Sequence, residues 1–180
     1  MRQRGFLAAA LGTVAGVMLM TGCATKATGG GWIQSAVVPT EKATFGLSWD
    51  ATDCRDPLAI TCTVRFNGSY HDPFGTISDG TTVSVSLKGA GKLVRVGPTK
   101  PTIMPNDPAL NNCMHDPAAP YDSQDPSRPG SGTLELLLCD NGQGNNTVDM
   151  GDLIGIDVKT GPYAGYQNLK SVEGGNIQTQ

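Results

Sequence analysis

Residues Thr82–Leu87 read TVSVSL, with Val83, Val85 and Leu87 alternating with Thr82, Ser84 and Ser86. That period of two is what a half-buried β-strand requires, one face apolar and the other wet. The same alternation places Phe45, Leu47 and Trp49 on one face of 43–49, and Cys62, Val64 and Phe66 on one face of 61–66. Apolar runs at Ile33–Val38, Leu93–Val96, Leu134–Cys139, Leu153–Val158 and Ser171–Ile177 complete the predicted strands, Leu134–Cys139 reading as central. Turn dipeptides Asn67-Gly68, Asp79-Gly80, Asn141-Gly142 and Gly161-Pro162 punctuate them. No long helical period is present, so the pattern predicts an all-β chain, an antiparallel β-sandwich or barrel-like single domain. Residues 97–132 break the rhythm. Rich in proline and poor in apolar residues, they read as a long loop insertion, pinned by Cys113.

The N-terminus follows a different logic. Arg2 and Arg4 precede an uncharged run, Gly5 to Met20, too rich in Gly and Ala to read as a spanning helix. A positive start, an apolar middle and small residues at the end are the parts of a secretory signal peptide. Met20-Thr21-Gly22-Cys23 resembles the lipobox of bacterial lipoproteins, with Met20 in place of the usual Leu. The resemblance implies cleavage after Gly22 and acylation of Cys23, with palmitate-like chains holding the protein to a lipid bilayer. The alternative is an ordinary signal peptide in which Cys23 is incidental. Ala24, rather than Asp, after the cysteine resembles the outer-membrane sorting pattern of Gram-negative envelopes. The expected organisation is therefore a leader over 1–22, an acylated Cys23 with a flexible tether over 23–30, and a β domain over 31–180.

Composition adds to this picture. The chain carries 24 Gly and 12 Pro with few charges, as a turn-rich exported β protein does. Loss of Arg2 and Arg4 with the leader takes the net charge from −3 to about −5. No basic patch stands out, which argues against a nucleic-acid partner. Apart from Cys23, four cysteines remain, an even number that suits an oxidising compartment. Three pairings are open. Cys54–Cys62 and Cys113–Cys139 are favoured, the first closing a short loop and the second tying the Pro-rich loop to the strand after it. The spacings lack the short Cys pairs of a zinc site.

Candidate chemistry is sparse. The two histidines both occur as His-Asp-Pro, at His71-Asp72-Pro73 and His115-Asp116-Pro117. Brought together they would offer two imidazoles and two carboxylates to a metal, or an acid–base pair to a small hydrolase. The plainer reading is Asp-Pro as a turn starter beside a solvated His. No nucleophile motif or carboxylate pair stands out, so no catalytic residue and no cofactor is assigned. Asp140, Asn145, Asp149 and Asp152 could surround calcium, although their spacing is not that of an EF-hand and a plain turn between two strands is the favoured reading. Tyr163 and Tyr166 lie in GPYAGYQN, where exposed aromatics would offer a stacking surface to a glycan or another envelope protein, against the alternative of packing.

Several fragments in order, GGGWI (29–33), KATFGLSW (42–49), RFNGSYHD (65–72), CDNGQGNNTVDMGDLIGIDV (139–158) and EGGNIQ (173–178), resemble a β-rich module of secreted and cell-surface bacterial proteins. The module opens with GGG-x-I and ends in GGNIQ. Its resemblance carries no activity over to this chain. It also suggests that the two Gly-rich ends pair beside one another and close the domain. The expectation is a membrane-anchored, non-enzymatic envelope lipoprotein. The alternatives are a small exported hydrolase using His71 or His115, or a calcium-stabilised adhesion module.

Overall fold

The computed structural model describes residues 26–50, 63–95, 113–139 and 151–179. These form nine strands, β1 (Lys26–Gln34), β2 (Lys42–Asp50), β3 (Thr63–Thr76), β4 (Thr82–Arg95), β5 (Cys113–Ser123), β6 (Ser131–Cys139), β7 (Leu153–Val158), β8 (Gln167–Ser171) and β9 (Gly174–Thr179). All pairings are antiparallel in one sheet of order β8-β7-β6-β5-β4-β3-β2-β1-β9. The chain is all-β, as the alternation predicts, and the sheet is curled and barrel-like.

The curl follows from the ends of that order. Successive strands reverse, so β1 and β7 run the same way. β8 opposes β7 and β9 opposes β1, and therefore β8 and β9 share a direction. Only Val172 and Glu173 separate them, so 167–179 is one strand path that pairs first with β7 and then with β1. Val172 N donates to Asp152 O at 2.7 Å, and Glu173 N to Trp32 O at 3.1 Å, which draws the two edges of the sheet together. The Gly-rich ends do pair, Gly31 opposite Gly175 and Trp32 opposite Gly174. A Cβ on Gly31 would stand 2.0 Å from Gly174 O, so only glycine permits this approach.

The concave face holds the core. Phe45, Phe66, Tyr70, Val85, Leu87, Leu93, Leu134, Leu136, Ile154, Ile156 and Ile177 all pack there. The strip β6 is buried on both faces, because Leu137 and Cys139 join Cys113 and Leu153 in a second cluster on the convex side. The Cys113–Cys139 disulfide is present, its residues directly opposite each other on β5 and β6.

Three boundaries differ from the sequence expectation. β1 begins at Lys26, so residues 26–30 belong to the sheet and not to a flexible tether. Ser35–Val38 then leaves the strand and turns back toward β2. The span read as a loop insertion, 97–132, contains all of β5 and the start of β6. Cys23, Cys54, Cys62, Asp140, Asn145 and Asp149 lie outside the described residues.

Candidate functional site

The two His-Asp-Pro motifs form the same local structure. In each, one carboxylate oxygen accepts the amide two residues on: Phe74 N to Asp72 Oδ1 at 3.0 Å, Ala118 N to Asp116 Oδ1 at 3.0 Å. The second oxygen accepts an amide from another segment, Ala36 N at 2.9 Å for Asp72 and Lys92 N at 3.0 Å for Asp116. Both aspartates are buried. Both stand where strand register shifts, β3 against β4 after Asp72 and β5 against β6 after Asp116. Proline has no N–H to give a ladder and belongs at bulges. The preceding carboxylate takes up the amides that the bulge leaves unpaired.

The histidines are not brought together. His71 stands opposite Ser86 and His115 opposite Val94, eight residues apart along β4 and so about 25 Å apart. The shared metal site and the paired acid–base reading are therefore corrected. Each Asp turns inward to cap backbone while its His stays on the outer side, because neighbours on a strand point to opposite faces. Among the described residues, no group of three or more His, Cys, Asp or Glu is placed to hold a metal.

Asp72 also anchors a buried polar chain. Asn168 Nδ2 donates to Tyr70 OH at 2.9 Å, Tyr70 OH lies 2.5 Å from Tyr166 OH, and Tyr166 OH donates to Asp72 Oδ2 at 2.8 Å. Asn168 Nδ2 reaches Gln34 O at 3.0 Å as well, stitching β8 to β1 across the seam. Burial raises the Tyr70 phenol well above the usual tyrosine range. It raises Tyr166 further, with the neighbouring Tyr70 and Asp72 adding to the effect. Tyr163 and Tyr166 are wholly buried, which corrects their reading as an exposed stacking surface. Tyr163 OH meets Ser123 Oγ at 2.9 Å, and its ring lies over Tyr121 with centroids 6.2 Å apart. Asp152, the described member of the calcium candidates, has Oδ2 occupied by Ile177 N at 2.7 Å, a second stitch across the seam.

One cluster of ionisable groups was not singled out by sequence. On the convex face Glu135, 2% exposed, holds His115 Nε2 at 2.8 Å on one oxygen and Lys159 Nζ at 3.0 Å on the other. Lys159 also contacts Asp157, which stands directly opposite Glu135 in register. Partial burial lowers the Lys159 pKa, but the hydrogen bonds to Asp157 and Glu135 outweigh it and the net shift is upward. The signal for this cluster was legible as single carboxylates within apolar runs, LELLLC and LIGIDV.

The interior holds an apolar cavity of about 20 Å³ beside Phe66, Tyr70 and Leu87, room for one water. A shallow groove of about 680 Å³ crosses the sheet, lined by Asn67, Lys88, Asp122, Ser131, Thr133 and Thr160. Comparison of the chain with family models, with curated proteins and with solved structures finds no match.

Proposed function

We propose that this chain is a lipid-anchored envelope lipoprotein with a structural or binding role and no catalysis of its own. It would be acylated at Cys23 and held, by the Ala24 sorting pattern, at an outer membrane. The observation that carries the non-enzymatic reading is the pair Asp72 and Asp116. The two motifs with the most chemistry in the sequence place their carboxylates on backbone amides, where they serve the fold. The lipobox carries the anchor reading, and the cysteine bridge Cys113–Cys139 suits an oxidising envelope compartment.

The test is an intact mass of the protein extracted from membranes, beside the fractionation of Cys23→Ser. A mass that begins at Cys23 and includes acyl chains, with the variant leaving the lipid-anchored fraction, supports the reading. A mass without lipid removes it.

The hydrolase alternative retains one specific support, the His115–Glu135 pair, since a buried carboxylate that orients an imidazole is half of a general-base device. A panel of chromogenic esters and glycosides separates the readings. Turnover abolished in His115→Gln establishes the enzyme, turnover unchanged in the variant removes His115 from it, and no turnover by the wild type supports the binding role.

A further inference from the structure

Strand β8 pairs with β7 along one edge and faces β1 across the seam on the other, where the two are not paired. Val172 N donates to Asp152 O and Val158 N to Tyr166 O, so the even-numbered residues of 166–172 are those whose backbone faces β7. Leu169 and Ser171 therefore turn their N–H and C=O groups the other way, into the seam. Gln34 turns its carbonyl in from β1, where it accepts Asn168 Nδ2 at 3.0 Å. This stretch of the seam is lined by backbone groups and joined by a side chain instead of by a ladder.

That side chain is satisfied on one side. Asn168 is 3% exposed, and its amide nitrogen places its protons on Gln34 O and on Tyr70 OH. Its Oδ1 is buried and accepts nothing from the described residues. The hydroxyls of the same polar chain are committed: Tyr166 gives its proton to Asp72 Oδ2, so Tyr70 gives its own to Tyr166. Ile156, opposite Asn168 on β7, has no side-chain donor. Turning the amide over would set Oδ1 against Gln34 O, acceptor against acceptor. A buried amide oxygen without a donor costs the fold the desolvation of that group, and native interiors satisfy such atoms with ordered water where no protein donor reaches.

We propose that Asn168 Oδ1 holds a single internal water in the β1–β8 seam. The water donates to Oδ1 and completes its hydrogen bonds on the seam backbone of Gln34 and Leu169, which supplies the roughly two to four partners an internal water needs. The apolar cavity beside Phe66 and Leu87 has the volume for a water but not the partners, and Asn168 does not line it, so the site lies in the seam. The water closes the barrel where its strand path crosses from β7 to β1 and the two edges come together without a ladder. The proposal stands independently of the lipid anchor.

The experiment compares wild type and Asn168→Leu by magnetic relaxation dispersion of the water deuterons, which counts internal waters that exchange slowly, beside a crystal structure of the wild type at a resolution that shows ordered waters. The wild type is expected to hold one more long-lived water than the variant. The crystal is expected to show it about 2.5–3.0 Å from Asn168 Oδ1, with a further contact on the backbone of Gln34 or Leu169. Waters elsewhere in the barrel are common to both proteins and cancel in the difference. Asn168→Leu also loses the bonds to Gln34 and Tyr70, so thermal melts establish that it is folded, and if it is not, the wild-type crystal decides alone. Equal dispersion amplitudes in two folded proteins, or no water density at Oδ1, overturn the proposal. So does a protein donor found on Oδ1, such as the ammonium of Lys170, two positions along the strand and exposed.

Discussion

The carboxylates of Asp72 and Asp116, 44 positions apart in the chain, accept the same two kinds of hydrogen bond, one from the amide two residues on and one from a distant strand or turn. The recurrence of His-Asp-Pro is thus the recurrence of a bulge. Its proline withdraws a donor from the ladder, and its aspartate accepts one amide inside the bulge and one from another segment.

That equivalence predicts an ordered pair of stabilities. Asp72→Ala would leave Ala36 N, Phe74 N and the Tyr166 hydroxyl without their acceptor. Asp116→Ala would leave only Lys92 N and Ala118 N. With each orphaned buried donor costing about 1–3 kcal/mol, reduced where water can reach it, Asp72→Ala should lose about 3–5 kcal/mol and Asp116→Ala about 1–3. Urea unfolding of both variants measures this. An Asp116 variant that loses more than the Asp72 variant would contradict the assignment.

The buried phenols predict how the protein fails in base. Burial raises Tyr70 and Tyr166 above the ordinary value, so the folded state holds their protons more tightly than the unfolded chain does. Their contribution is then fully present below the unfolded value of about 10 and is lost as pH rises beyond it, because only the unfolded chain ionises readily. Tyr70 and Tyr166 should resist spectrophotometric titration until the fold is lost. Tyr70→Phe and Tyr166→Phe should each flatten the alkaline fall in stability. Tyr70 and Tyr166 phenols that titrate near 10 in the folded protein would exclude the network.

Alternation made part of this fold legible and hid the rest. Leu153–Val158 forms β7 with the bounds read from sequence, because its inward and outward residues are nearly all apolar or flanked by apolar neighbours. β5 was missed because Pro117, Pro120 and a one-sided bulge scramble the period of two. β1 was read seven residues late, at Ile33–Val38, because Lys26–Gly31 has no large apolar side chain. It is a strand because glycine lets β9 lie against it, a fact about two distant segments. Tyr163 and Tyr166 could be read from sequence as stacking aromatics or as packed ones, and their complete burial is that of packing, set by contacts with distant segments. The Glu135 cluster is non-local in the same way, since its His, Glu and Lys come from three separate segments.

Closure of the sheet should depend on Gly175. Its φ is +101°, and a Cβ there would lie 2.0 Å from Gly30 O, so Gly175→Ala both strains the backbone and pushes β9 off β1. A loss of about 2–4 kcal/mol is expected. Gly80→Ala is the control, with φ of +82° and open space around it, and should lose only about 1 kcal/mol. Denaturant midpoints of the two variants separate close approach from backbone conformation. Equal losses would mean that the seam tolerates a methyl group.

Lys159 is placed between two carboxylates that face each other across β6 and β7, and its removal should leave Glu135 and Asp157 opposed without its ammonium between them. The lysine side chain is 38% exposed, so solvent screens the pair and Lys159→Met should lose about 1–2 kcal/mol at neutral pH, less than a fully buried pair would. The sign of its pH dependence is fixed by the raised pKa. The ammonium's contribution is fully present below the unfolded lysine value, about 10.4, and is lost as pH climbs through the higher folded value. The gap between wild type and Lys159→Met should therefore stay constant from neutrality to about pH 10 and shrink above it. The tyrosine effects are common to both proteins and cancel in the difference. A gap that instead shrinks between pH 7 and 9 would show that Lys159 does not hold the two carboxylates as the structure places it.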